Sequence, residues 1–300
     1  MKIGISVTSS HKVEDPHEGA RYMIERAKAS REAGLDTLFV GDHHVTPFPY
    51  YQNNVILARM LAEWGDRPFG ALYLLPLWHP VTLAEQIGTL ASLSKAPFIM
   101  QCGLGDERQG KAMGIDMSRR VGMFVASINT MRALWRGEVV DEPRYWNISQ
   151  ARIAPLPSEP LDIWIGSVAD KAVERTARIG EGWLASPGLT PVQAGEAVIR
   201  YKQYCAEYDR TPTATAIRRD IYVGATSEEA KRVVEPYITE GYRGIAPDAL
   251  MYGSPEEVAD QVRVLEGQGY TDIIVRNLSS DHAQCIDTIH RLAEVKALLD

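Results

Sequence analysis

Three short polar segments of this sequence carry residue types that perform acid–base chemistry or bind anions. In the first, Asp42, His43 and His44 directly follow residues 38–40, an apolar run typical of a buried strand. A strand cannot carry such groups inside an apolar core without strong pairing, so we expect them at the mouth of a pocket. An imidazole facing that pocket can donate or accept a proton near neutral pH. The pattern leaves open whether His43 or His44 does so.

Two glycine-containing segments are candidates for close contact with a ligand. Gly103 and Gly105 follow the apolar residues 97–102, and glycine lets a ligand approach the backbone closely, although a simple tight turn explains them equally well. Residues 166–168 (Gly, Ser, Val) lie between a predicted strand and its helix. Free N–H groups at a helix start, together with a hydroxyl, form an anion site, and an ordinary serine N-cap is the alternative.

The elements that must position these segments alternate along the whole chain. We count eight predicted strands, each followed by a helix, with one extra helix between the seventh and eighth strands. This α/β pattern favours a closed (β/α)8 TIM barrel with an insertion between strands 7 and 8, over residues 1–300 as a single domain. An open doubly wound sheet is the alternative. Capping boxes at 190–193, 226–229 and 254–257 predict three helix starts.

Composition excludes several classes of protein. The 300 residues are 45% hydrophobic with a net charge of −7 and no Lys/Arg-rich run, which argues against a nucleic-acid partner. No apolar run is long enough to span a membrane, and no leader pattern begins the chain, so we expect a cytoplasmic protein. Cys102, Cys205 and Cys285 show no C-x-x-C spacing and are expected to be buried, reduced thiols. Adjacent strand residues point to opposite faces, so Asp42, His43 and His44 do not predict a metal site.

Motifs spread over nearly the whole chain, in a fixed order and spacing, resemble one family. They comprise residues 33–37 with Asp42-His43, 79–86 with 90–94, 103–105, 113–116 with Arg120, 133–137, 164–167 with 177–183, and 253–258. The chain thereby resembles the bacterial-luciferase-like superfamily of flavin (FMN)- or coenzyme F420-dependent oxidoreductases.

The resemblance implies a flavin-type ring at the C-terminal mouth of the barrel, with His43 near the ring as the catalytic residue. It implies that residues 166–168, namely Gly166, Ser167 and Val168, hold the cofactor phosphate. It further implies a non-proline cis peptide around Leu74-Leu75. The remaining expected cofactor contacts are Asp42, Leu74, Leu75, Gly103 and Gly105.

One departure from the family pattern leaves the identity of the cofactor open, and a second concerns a supporting ion pair. FMN-using members often carry an arginine where this chain has Leu104, whereas F420-using members often have an acid where it has Asp106. Residues 125–127 also lack a glutamate that many members carry after the Arg120 motif.

Three functions remain in view, each with a small-molecule substrate. The first is a monooxygenase using O2 and reduced FMN supplied by a flavin reductase, with His43 stabilising the peroxide. The alternative is an F420-dependent hydride-transfer enzyme, with His43 as acid–base and Asp106 as its partner. The third is a non-catalytic flavin-binding protein. Family members are often homodimers, and the sequence neither supports nor excludes that state here.

Overall fold

Eight parallel strands close into a cylinder in the computed structural model, which describes residues 1–299. β7 pairs with both β6 and β8, and β8 pairs with β1, so no edge remains in the ring. The predicted (β/α)8 TIM barrel is therefore confirmed. In chain order the strands are β1 (Lys2–Val7), β2 (Thr37–Val40), β3 (Phe69–Leu74), β4 (Phe98–Gly103), β5 (Leu161–Gly166), β6 (Gly182–Ala185), β7 (Ala214–Val223) and β8 (Asp272–Asn277).

Helices surround the cylinder, and local capping sets several of their starts. Asp15 caps α1, and complete capping boxes begin α7 and α9, as predicted. At α8 the box is only half formed, because the Glu229 carboxylate accepts the N–H of Ala225 instead of that of Thr226. The helices are α1 (Pro16–Glu32), α2 (Asn53–Trp64), α3 (Pro80–Ala91), α4 (Glu107–Ala112), α5 (Arg120–Trp135), α6 (Asp170–Ile179), α7 (Pro191–Glu207), α8 (Ser227–Thr239), α9 (Pro255–Gln268) and α10 (His282–Leu299).

Alternation along the strands divides the apolar side chains into two cores. All four residues of β2 are buried, as expected for a parallel strand covered on both faces. Leu38 and Val40 pack outward in the large core that includes the helices, whereas Phe39 points into the cylinder. The interior cluster comprises Phe39, Ile99, Trp164, Ala214, Ala216 and Ile274. This cluster fills the cylinder, so a ligand can enter only above it, at a mouth.

The insertion predicted between strands 7 and 8 is present. It contains α8, two single-turn 3₁₀ helices, a short strand (Met251–Gly253) and α9. The short strand, which the sequence pattern did not predict, pairs in parallel with residues 221–223 at the end of β7. Its α8 packs around a separate small apolar cluster that comprises Tyr222, Ala230, Val234, Leu250 and Leu278, whereas α9 packs in the large core.

One local expectation was wrong, and two small elements were not predicted. Residues 106–120 contain α4, and residues 137–161 contain an antiparallel hairpin of Val140–Glu142 with Ile148–Ala151. The Leu74–Leu75 peptide bond is trans; within residues 1–299 the cis bond is Ala154–Pro155. The chain leaves β3 through a 3₁₀ turn, Leu75–Leu77. Across these same residues, none of the helices combines the length and apolar character needed to cross a bilayer.

Candidate active site

A cavity of about 540 Å³ opens at the carboxyl ends of the strands, on the side of β1, β2, β7 and β8. This is the edge of a (β/α)8 barrel where loops carry ligand-binding and reactive groups. Its polar lining includes His43, Tyr50 and the four arginines Arg108, Arg218, Arg243 and Arg276. A second cavity of about 520 Å³ lies between α5 and the hairpin, outside the cylinder. The first cavity is therefore the candidate active site.

Asp42 belongs to the wall of this cavity. Its carboxylate is almost fully buried, and its Oδ2 accepts hydrogen bonds from the Leu74 N–H at 2.7 Å and the Trp78 Nε1–H at 2.8 Å. Its Oδ1 lies 3.1 Å from Nε2 of His44, whose ring also packs edge-on against Trp78. These contacts fasten the end of β2 to the end of β3. His44 therefore helps to build the wall, and His43 is the imidazole that lines the cavity.

His43 is held beside a guanidinium. Its Nε2 lies 3.1 Å from Nη2 of Arg108, whose Nη1 donates to the carbonyl of Val45 at 2.9 Å. Burial, followed by the charge of Arg108, lowers the pKa of His43 below its ordinary value of 6.5. The imidazole is therefore neutral near pH 7. Because a guanidinium can only donate, Nε2 is the accepting nitrogen and Nδ1 carries the proton.

A phenol lies across from this imidazole. The rings of His43 and Tyr50 are 5.9 Å apart, and burial together with the charge of Asp42 raises the pKa of Tyr50 to about 12. A Cβ at Gly41 would lie 2.7 Å from the Tyr50 hydroxyl, so only glycine leaves room for this ring. Tyr50 thus supplies a protonated hydroxyl to the cavity.

Asp106 is engaged by the backbone of its own helix. It is the N-cap of α4: Oδ1 accepts the Gln109 N–H at 2.9 Å and Oδ2 accepts the Gln109 amide at 2.5 Å. Burial opposes ionisation, but these bonds and the charge of Arg108 lower the pKa of Asp106 below its usual range. The carboxylate can act on His43 through its charge, while both of its oxygens accept hydrogen bonds from Gln109 at the start of α4.

The candidate ring-binding residues meet where β3 and β4 end. A Cβ at Gly103 would lie 3.2 Å from Cδ2 of Leu74, and Gly105 adopts a left-handed conformation with φ of 70°. Leu74 is half-buried, whereas Leu75 is fully buried in the helix-side core. The structure therefore brings Leu74, Gly103 and Gly105 together. Leu75 could contact a ligand only through its backbone.

Residues 166–168 precede α6 and expose mainly backbone. The N-cap of α6 is Ala169, so the serine N-cap alternative is excluded, and Val168 is 58% exposed. The Ser167 hydroxyl is buried and lies 2.9 Å from the Thr176 hydroxyl, which in turn donates to the carbonyl of Ala172. An anion at this site would meet the first-turn N–H groups of α6 and not the serine side chain. Free N–H groups of this kind, here called the cradle, can bind a phosphate group.

The sequence analysis did not assign Arg218, Arg243 or Arg276 to the site. Arg218 and Arg276 lie on β7 and β8, and Arg243 lies in the insertion. The available signal was the pair of arginines inside the otherwise largely apolar residues 217–223, because arginine is rarely buried in a strand unless it is paired. Sequence alone does not show which of Arg218 and Arg219 faces inward; in the structure it is Arg218.

Comparison with known proteins agrees with this architecture. A family model described as luciferase-like monooxygenase matches residues 1–295. An F420-dependent glucose-6-phosphate dehydrogenase of Intrasporangium calvum is 22% identical over 309 aligned positions, covering 90% of this chain and 92% of the relative.

Solved structures show the same fold. The FMN-bound oxygenating constituent of 3,6-diketocamphane monooxygenase of Pseudomonas putida superposes with a TM-score of 0.82 at 17% identity, covering 98% of this chain and 97% of the other. An F420-dependent secondary alcohol dehydrogenase with an F420–acetone adduct superposes with a TM-score of 0.81 at 16% identity, covering 100% of both chains. The match of the family model over nearly the whole length decides the assignment: this chain belongs to the luciferase-like monooxygenase family.

Proposed function

We propose that this protein is an F420-dependent oxidoreductase that interconverts an alcohol and a carbonyl on a small polar substrate. The observation that carries the proposal is the cavity, where a neutral imidazole faces four guanidinium groups. The similarity to an F420-dependent dehydrogenase along 90% of the chain supports the choice of cofactor. When bound, F420 would supply a two-electron hydride acceptor or donor.

His43 is the proposed acid–base group. Because its pKa lies below 6.5, it is neutral near pH 7 and can take the proton of a substrate hydroxyl; in the reverse direction it returns that proton. In the free protein an N–H of Arg108 donates to Nε2, the nitrogen that takes the proton, so the substrate hydroxyl must replace Arg108 at that atom. The charge of Asp106 partly offsets that of Arg108 at the imidazole. Asp106 is thus proposed as an electrostatic partner of His43.

The proposed cofactor site occupies the other half of the mouth. Its phosphate would meet the backbone of Gly166, Ser167 and Val168 at the start of α6. Its ring would lie against Leu74, the Leu75 backbone and the Gly103–Gly105 turn, with Asp42 fixing Leu74 from behind. Leu104 provides no cation for an FMN phosphate, which favours F420.

The second candidate is the monooxygenase that uses reduced FMN. The superposition with an FMN-bound monooxygenase at a TM-score of 0.82 favours it. That chemistry needs a cavity from which water is excluded, to protect a reactive oxygen adduct. Four guanidinium groups make this cavity polar and do not favour the exclusion of water, which supports the hydride-transfer enzyme better.

Cofactor titration tests the proposal. Purified protein is titrated with oxidised F420, oxidised FMN and reduced FMN, and binding is followed by quenching of tryptophan fluorescence. We expect saturable binding of F420, with binding of either form of FMN at least about tenfold weaker. Introducing the missing cation with Leu104→Arg should strengthen FMN binding, whereas the neutral control Leu104→Gln should not. Tight binding of reduced FMN by the unaltered protein, together with consumption of oxygen, would overturn the proposal.

A further inference from the structure

The candidate active site concentrates positive charge in a chain whose net charge is −7. Arg108, Arg218, Arg243 and Arg276, here called the arginine cluster, all line the one cavity of about 540 Å³. They come from four separate segments: α4, β7, the insertion and β8. Guanidinium groups from four segments repel one another at one point, so their convergence indicates an anionic ligand.

The carboxylates near the arginine cluster do not neutralise it. Arg218 Nη2 and Arg243 Nη1 share one carboxylate, that of Asp220, at 3.3 Å and 3.2 Å. Within residues 1–299, neither Arg108 nor Arg276 has a carboxylate oxygen within 4 Å. Asp42 in the cavity wall and Asp106 beside Arg108 add two further carboxylates, so four guanidinium groups face three carboxylates and the cluster retains an excess of positive charge.

Donor groups in the cluster are available to that anion. Arg218 Nε is buried and has no hydrogen-bond partner among the described residues, and burial lowers the pKa of this guanidinium to about 10. The side chain thus stays charged at neutral pH. Arg276 makes one long contact, from Nε to the Thr8 hydroxyl at 3.4 Å. An unpaired buried donor is unfavourable in the free protein and is satisfied when an acceptor binds.

The order of strands separates the arginine cluster from the proposed cofactor cradle. The ring runs β1 to β8, so β5, which leads to the cradle, lies opposite β1. Arg276 and Arg218 belong to β8 and β7, and the register places Arg276 beside Asp220 on the neighbouring strand. The cradle and the arginine cluster therefore lie at different parts of the mouth.

The insertion fixes the fourth arginine over the mouth. Arg243 has φ of 50°, and the flanking Gly241 and Gly244 have φ of 74° and 69°. A non-glycine residue in this left-handed region is strained, and such strain persists only where the surroundings impose it. Here the ion pair between Arg243 and Asp220 provides that restraint.

We propose that the substrate carries a dianionic group of the phosphate-monoester type, bound by the arginine cluster, with its reacting carbon beside His43. The position of that carbon rests on the proposed oxidoreductase function, whereas the anion site does not. Planar guanidinium groups match phosphate oxygens in pairs, which gives orientation as well as affinity. Arg243 then makes the insertion a determinant of specificity.

Calorimetric titration of the cofactor-free protein tests the anion site directly. The probes are inorganic phosphate, succinate as a dicarboxylate and glycerol as a neutral polyol. We expect phosphate to bind with a dissociation constant that rises with salt concentration, succinate to bind more weakly and glycerol not to bind. Equal binding of succinate and phosphate would overturn the phosphate assignment, and absence of phosphate binding would overturn the site.

Three variants assign the binding to the cluster. Arg276→Gln and the half-exposed Arg243→Gln should each weaken phosphate binding by about 10- to 100-fold, as expected for loss of a charge-assisted hydrogen bond. Arg263→Gln, on the outer face of α9, is the matched control and should leave phosphate binding unchanged. Equal phosphate binding in all variants would refute the inference. So would an equal loss of binding in the control, which would indicate an adventitious ion only.

F420 titration separates this inference from the proposed function. Arg276→Gln and Arg243→Gln should bind F420 as the unaltered protein does. Loss of F420 affinity in these variants would show that the cluster holds the cofactor phosphate, against our inference. Arginine-dependent phosphate binding without any F420 binding would reject the proposed cofactor while supporting the anion site.

Discussion

Replacing Asp42 should destabilise the protein by an amount that can be worked out from its contacts. Its buried carboxylate accepts two hydrogen bonds, from the Leu74 N–H and the Trp78 indole. Each hydrogen bond to a charged group contributes about 1.5–3 kcal/mol, and removal leaves the buried donor unpaired. Asp42→Ala should therefore lower the free energy of unfolding by about 3–6 kcal/mol, a large part of a total that is typically about 5–15 kcal/mol.

The isosteric variant separates the effect of charge from that of hydrogen bonding. Asp42→Asn keeps one oxygen for the two donors that now meet Oδ2, so we expect a smaller loss of about 1–2 kcal/mol. Asp260, which is exposed on α9, supplies the control: Asp260→Ala should change stability by less than about 0.5 kcal/mol.

Urea unfolding followed by circular dichroism measures these differences as shifts of the midpoint at constant slope. The expected order of stability is wild type, Asp42→Asn and then Asp42→Ala. If Asp42→Ala unfolded within about 1 kcal/mol of wild type, the two contacts would not fasten β2 to β3, and the reasoning that leaves His43 facing the cavity would fail.

Three further predictions concern titration and the cofactor. His43→Gln should reduce turnover by about 100- to 10,000-fold with little change in cofactor affinity. It should also abolish the fall in turnover as pH drops below 6.5, which steady-state pH profiles measure, with the exposed His17→Gln as the control. Turnover equal to that of the unaltered protein would remove the acid–base role. Burial, followed by the charge of Arg26, lowers the pKa of His11 from 6.5 to about 4. Because the neutral imidazole is favoured in the folded state, the contribution of His11 to the free energy of unfolding, about 3 kcal/mol, is complete above pH 6.5 and is lost by pH 4. Melting temperatures of His11→Asn should vary less with pH in that window, and an unchanged slope would contradict this. Val168→Asp should weaken F420 binding about tenfold by placing a negative charge at the start of α6, whereas Val168→Ala should not, and equal affinities would argue against the cradle.

The main architecture was predictable because local and long-range preferences agree. The apolar residues 38–40, the start of α7 at Thr190 and the box at Ser254 each favour by themselves the element that forms. α4 was missed because its six residues are too few to show periodicity, and it depends on the Asp106 cap. The hairpin was missed because its strands have three and four residues, and their pairing is a tertiary event.

The active site was only partly predictable. The sequence placed a polar group at the end of β2, but the choice of His43 over His44 depends on Leu74 and Trp78, which reach Asp42 from 32 and 36 positions away. The Ser167 hydroxyl was expected to contact an anion, but in the structure it contacts the hydroxyl of Thr176, further along α6. The convergence of the arginines depends on strand register, which sequence patterns do not report.

The short strand Met251–Gly253 has a consequence for how such enzymes diversify. β7 is ten residues long and overhangs the cylinder, so the insertion attaches to the overhang, and its α8 packs on a small apolar cluster outside the large core. An alteration of α8 and the 3₁₀ turns can change which molecules are admitted while the large core keeps its packing. Natural variation of this part, or its exchange in the laboratory, can therefore shift substrate preference while the redox machinery stays constant.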